Sequence, residues 1–93
     1  MSDLLSDDEI ASRLEDSEWR REGDEIVRDF KFADFAEAMA FVNRVADAAE
    51  EANHHPDILV HGWNKVRLSV TNHSEGGLTD ADFKLASTVD ALS

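Results

Sequence analysis

Apolar residues recur at spacings of three and four between Phe35 and Ala49, where Phe35, Ala38, Met39, Val42, Val45, Ala46 and Ala49 make one stripe. That is the period of a helix with a single buried face. Glu37, Arg44, Asp47 and Glu51 fall on the opposite side. A stripe this regular predicts a helix over 35–51 laid against a sheet. On either side of it the period shortens to two. Ile26, Phe30 and Phe32 alternate with Val27, Asp29 and Lys31, and Val66, Leu68 and Val70 alternate with Arg67, Ser69 and Thr71. Each series predicts a half-buried strand. Each strand also has a partner upstream: 19–22 through a turn at Gly23-Asp24, and 58–61 through a tight connection at Gly62-Trp63-Asn64.

Helix starts complete the picture. Ser6-Asp7-Asp8-Glu9 is a capping box, and Leu5 and Ile10 stand where a hydrophobic staple needs them. Asp34 with Glu37, and Thr79 with Asp82, repeat the arrangement, the latter flanked by the staple pair Leu78 and Phe83. Acids in each first turn favour the helix by about 0.3–1 kcal/mol apiece. The predicted helices are 7–15, 35–51 and 80–91, in the order α-β-β-α-β-β-α. Two hairpins without a crossover predict an α+β fold, a mainly antiparallel four-stranded sheet with three helices packed on one face. The 93 residues suit a single domain over 1–93.

Charge narrows the choice of partner. Twenty-one Asp and Glu against nine Lys and Arg give a net charge of -12. A chain this acidic is a poor ligand for nucleic acid or for an anionic membrane. Lysine occurs only at 31, 65 and 84. We read the acidic surface as halophilic, suited to a salt-rich cytosol, with an ordinary acidic protein as the alternative. Cysteine is absent, which excludes disulfides and thiolate chemistry. No apolar run approaches the roughly 20 residues of a membrane span, and the N-terminus does not read as a signal peptide, so the expected location is cytoplasmic.

The candidate chemistry lies at Glu50-Glu51-Ala52-Asn53-His54-His55-Pro56-Asp57. Pro56 drives the preceding residue toward extended geometry and ends the long helix. His73 follows the strand 66–70, in Thr71-Asn72-His73-Ser74-Glu75-Gly76-Gly77. An antiparallel hairpin brings the start of its first strand beside the end of its second, so His54, His55 and His73 are expected to converge. Imidazoles both give and take protons near neutral pH, and a pair can act as general acid and general base. Glu50, on the last helical turn, is placed to orient an imidazole or hold a substrate nitrogen. The competing readings are polar loop residues or, less favoured, a metal site. Adjacent His54 and His55 point apart, and no i, i+4 histidine pair sits on a helix.

Taken in order, Glu50-x-x-x-His54-His55-Pro56, Trp63-Asn64-Lys65-Val66, His73 and Gly77-Leu78-Thr79-x-x-Asp82 resemble the pterin-4a-carbinolamine dehydratase family over nearly the whole chain. The resemblance implies the fold read above, assembled as a homodimer or homotetramer. It also implies dehydration of a 4a-hydroxytetrahydropterin to the quinonoid dihydropterin and water, with no cofactor and no metal, in recycling a tetrahydrobiopterin-type cofactor. By position, His54 and His73 match the proton-transfer pair and His55 the histidine that holds the pterin. Glu50, Pro56, Trp63 and Asp82 match residues around the substrate. Asp82 also serves as a cap partner for Thr79, Trp63 as a packing residue or pocket wall, and His61 has no counterpart. Asn72 departs from the small hydroxyl residue often found before the third histidine. Two other readings stay open: a protein-interaction module, since relatives act as dimerisation partners of a transcription factor, and a dehydratase-like enzyme for another pterin.

Overall fold

Short polar side chains start the helices. In the computed structural model, which describes residues 3–93, Ser6 Oγ accepts the Glu9 N–H at 3.2 Å and opens α1 (Asp7–Leu14). Asp34 Oδ1 accepts the Glu37 N–H at 2.8 Å and opens α2 (Phe35–Ala52). Thr79 precedes α3 (Asp80–Leu92). The strands are β1 (Arg20–Glu22), β2 (Glu25–Lys31), β3 (Asp57–His61) and β4 (Lys65–Val70). They pair antiparallel in the order β1-β2-β4-β3. The α+β architecture and the element order are those the periodicity predicts, with ends shifted by one residue where they differ.

Register fixes the two faces of the sheet. Ile26 opposes Val70 and Phe30 opposes Val66, and these residues, with Leu68, are buried against Phe41, Val45, Leu85 and Val89 of the helices. Phe30 and Phe41 meet with ring centroids 4.7 Å apart. The other face carries Asp29, Lys31, Leu59, Lys65 and Arg67, all exposed.

The long helix corrects the predicted stripe. Its buried line is Ala38, Phe41, Val45 and Ala49. Met39 and Val42 are half-buried, Ala46 is exposed, and Phe35 is 53% exposed. Phe41, packed against Phe30 and Phe32, sets the contact line, and Phe35 lies on the first turn beside the Asp34 cap. Val27, on the outward face by alternation, is nevertheless buried. It opposes Arg20, whose side chain runs along the face to bond Asp29 at 3.0 Å and so lies across the valine. Trp19 stands before β1 rather than in it. It packs edge-on to Phe30, and its Nε1–H donates to Asp90 at 2.8 Å.

The β3–β4 connection is held by Asn64, which is buried and donates from Nδ2 to the Phe32 carbonyl at 2.9 Å. Gly62 and Trp63 both adopt positive φ there, at 56° and 58°. For a tryptophan that backbone is strained.

Candidate active site

The end of α2 places the first histidine. Asn53 takes a left-handed conformation (φ 51°, ψ 42°), and its N–H donates to the Glu50 carbonyl at 3.2 Å. The next N–H, of His54, reaches back to the Ala49 carbonyl at 3.1 Å. This is the double bond pattern that seals a helix C-terminus, and asparagine is among the few non-glycine residues that enter it readily. Asn53→Val is expected to cost about 1–2 kcal/mol of stability, because a branched β-carbon is poorly tolerated at that φ. Asn53→Gly is expected to be neutral or better. Equilibrium denaturation of the two variants checks this, and equal stabilities would show that the cap does not fix the His54 backbone.

His54 then turns toward the start of α3. Its Nε2–H donates to Asp82 Oδ1 at 2.5 Å, with the imidazole 15% exposed and the carboxylate fully buried. The other oxygen of Asp82 accepts the Thr79 N–H at 2.7 Å and the Thr79 hydroxyl at 3.2 Å. One buried carboxylate therefore receives three donors, which satisfies its charge away from water. It also fixes the imidazole. A carboxylate only accepts, so Nε2 carries a proton, and in the neutral imidazole Nδ1 is left as the acceptor. The capping box that predicted α3 thus also forms a carboxylate–imidazole pair across 28 residues of chain.

His55 points elsewhere. Its Nε2–H donates to Glu50 at the surface, where both side chains are exposed. Glu50 therefore orients an imidazole, one of the two roles its position suggested. Pro56 is half-buried between this pair and β3.

His73 lies beyond β4 in a turn organised by Asn72. The Asn72 carbonyl accepts the N–H groups of Glu75, Gly76 and Gly77 at 3.2, 2.9 and 3.2 Å, and its own N–H donates to the Gly77 carbonyl at 3.1 Å. The Asn72 side chain adds one bond to this turn, its Oδ1 accepting the Glu75 N–H at 3.3 Å. His73 is exposed, and among the described residues its side chain makes no hydrogen bond or ion pair. It lines a cleft of about 380 Å³ whose opposite wall is the β1–β2 turn, Glu22 to Glu25. Thr71 ties that wall to the end of β4 by donating to the Asp24 carbonyl at 2.5 Å.

The three histidines therefore share one end of the sheet without sharing this cleft, which has neither His54 nor His55 in its lining. The reason is register. Residues before Asp57 run alongside the β3 flank of β4, whereas the His73 turn faces the β1–β2 hairpin on the other flank. Trp63 needs a larger correction. It is 61% exposed on the β3–β4 turn, at the far end of a strand that spans about 14 Å, away from His54, His55 and His73. The acids Glu22, Asp24 and Glu25 around His73 were missed in the sequence, because only the sheet order β1-β2-β4-β3 brings them there. Among the described residues no group of three His, Asp or Glu is arranged to hold a metal ion. No helix among them is long and apolar enough to cross a membrane.

Comparison with known proteins adds four findings. Residues 3–92 match the family model described as pterin 4 alpha carbinolamine dehydratase. A Thermomicrobium roseum protein, provisionally named pterin-4-alpha-carbinolamine dehydratase, is 53% identical over 88% of each chain. Among solved structures, a Brucella melitensis protein described as a transcriptional coactivator/pterin dehydratase superposes with a TM-score of 0.88 at 33% identity, covering 95% of this chain and 96% of its own. A pterin dehydratase-like protein described as a RuBisCO assembly factor of the alpha-carboxysome gives a TM-score of 0.67 at 30% identity, over 80% of this chain and 87% of its own.

Proposed function

The chain belongs to the pterin-4a-carbinolamine dehydratase family, and from that premise we propose that it dehydrates a 4a-hydroxytetrahydropterin. The carbon–oxygen bond at C4a breaks as an acid protonates the leaving oxygen. A base takes the ring N–H proton, a C=N bond forms, and the products are water and the quinonoid dihydropterin. Atoms and charge balance through proton transfer alone. His54 and His73 are the proposed proton-transfer pair, His55 holds the pterin through the orientation Glu50 gives it, Pro56 flanks the bound ring, and buried Asp82 acts through His54. Trp63 has no place in this assignment.

The observation that carries the reading is the His54–Asp82 pair at 2.5 Å. An imidazole with one nitrogen anchored on a buried carboxylate and the other free is a prepared general base. Such a base contributes typically about 10²–10⁴-fold to rate. We further propose a cytoplasmic location, and a homodimer or homotetramer, the assembly supported by exposed Ile58 and Leu59 on edge strand β3.

Stopped-flow absorbance of carbinolamine disappearance, with and without the protein, is the test. The expected result is acceleration proportional to protein concentration. No acceleration at any pH between 6 and about 8, where imidazoles titrate, would overturn it. It would favour a second reading drawn from the described coactivator and assembly-factor neighbours, a binding module that keeps the fold without the chemistry.

A further inference from the structure

We propose that the open face of the sheet, at the end opposite the histidine loops, binds a small phosphoryl-bearing anion between Lys31, Lys65 and Arg67. The register puts Lys31 directly opposite Lys65, and Lys65 directly opposite His61, so three basic side chains cross β2, β4 and β3 in one row. Directly opposed like charges destabilise a sheet. In a chain of net charge -12 with three lysines, carboxylates are plentiful, yet these two cations lack one. Lys84 pairs with Asp80 at 3.6 Å. Among the described residues, neither Lys31 nor Lys65 has a carboxylate oxygen within 4.0 Å.

The surroundings are shaped for a ligand. These residues line a cavity of about 230 Å³, with Phe30, Asp29 and His61. The volume suits a charged group more than a whole drug-sized ligand, whose pockets run about 300–1,000 Å³. The Lys65 side chain lies back over the turn, its Nζ 3.6 Å from where a β-carbon on Gly62 would stand. Asp29 is the acid within the cavity, and its charge is already engaged: it accepts from Arg67 Nε at 2.8 Å and from Arg20 Nη1 at 3.0 Å. Arg67 keeps Nη1 free of that pairing.

Charge and shape select the ligand class. A carboxylate offers one negative charge and two oxygens in a plane. A phosphoryl group carries about -1.5 to -2 at neutral pH on three oxygens, which matches two unpaired ammoniums and presents an oxygen to each strand. Lysine serves such groups as a point charge and arginine as a directed donor. The six residues of β4 put roughly 17 Å between this site and the His73 end, so the inference stands or falls apart from the dehydratase reading.

The test is titration of the ¹⁵N-labelled full chain with sodium phosphate and sodium pyrophosphate, ionic strength held constant with chloride. Saturable shifts are expected at the amides of Lys31, His61, Lys65 and Arg67. Lys31→Gln and Lys65→Gln should each weaken binding at least about ten-fold, the loss of one charge-assisted contact, and Lys84→Gln should leave it unchanged. Without phosphate both cavity variants should be at least as stable as the parent, since each removes an opposed cation, so failure to fold does not confuse the result. Shifts that do not saturate, that chloride reproduces, or that survive both substitutions would overturn the proposal. So would binding of a tetraglutamate peptide in the absence of phosphate binding, which would give the surface to an acidic protein segment.

Discussion

Asp82→Asn is expected to leave the protein folded and to slow carbinolamine dehydration by roughly 10²–10⁴-fold, the range for a lost general base. The amide has the size of the carboxylate, and its single oxygen can still accept the Thr79 N–H that Asp82 accepts at 2.7 Å. Its NH2 group then faces His54 Nε2. Two donors cannot share that contact, so the imidazole must take the other tautomer, with Nε2 as acceptor and Nδ1 protonated. The base is lost though every atom stays near its place. Asp82→Ala differs. It removes all three accepted bonds inside a buried site, and the lost cap together with the orphaned donors amounts to about 3 kcal/mol of stability. Denaturation and stopped-flow kinetics on both variants separate the roles, and ¹⁵N shifts of the His54 ring report the tautomer. Full activity in Asp82→Asn would reduce Asp82 to a helix cap.

The same residue shows where sequence stops short. Thr79 and Asp82 are legible as a cap because capping is local, a matter of three residues. That Asp82 also holds His54 depends on how α3 lies against the end of α2, and no periodicity encodes that. The fold was legible for a similar reason in reverse. Its two hairpins are local, their registers follow from alternation, and Asn64 and Gly62 sit where a tight turn needs them. The exceptions are also physical. Phe35 fits a helical stripe yet lies exposed, since the stripe fixes only a direction and Phe41 decides which line is buried. Its position in a motif puts Trp63 at the substrate, and the length of β3 carries it away from His54, His55 and His73. Hairpin register predicts that His54, His55 and His73 converge, and His73 lines a cleft that includes neither of the others. The flank each one faces was not readable, because that depends on the order β1-β2-β4-β3.

His54→Ala and His73→Ala are each expected to lower turnover at least ten-fold, toward the roughly 10²–10⁴ of a full acid or base contribution. Their effects on stability should differ. His73 is exposed, so its removal should shift the denaturation midpoint little. Removing His54 leaves Asp82 Oδ1 buried and unpaired, at a cost of about 1–3 kcal/mol. The double variant carries the mechanistic content. An acid and a base that act on one bond-breaking event form a unit, and losses within a unit do not add. The double substitution should therefore be little slower than the worse single one, whereas multiplied losses would place the two histidines in separate steps. His55→Ala offers the contrast. Its ring is surface-held by Glu50, and a residue that only holds the pterin should raise KM more than it lowers kcat, a split that single-turnover kinetics resolves. A fall in the single-turnover rate at saturating substrate as deep as that of His54→Ala would move His55 into the proton-transfer pair and leave His73, with its cleft of acids, outside it.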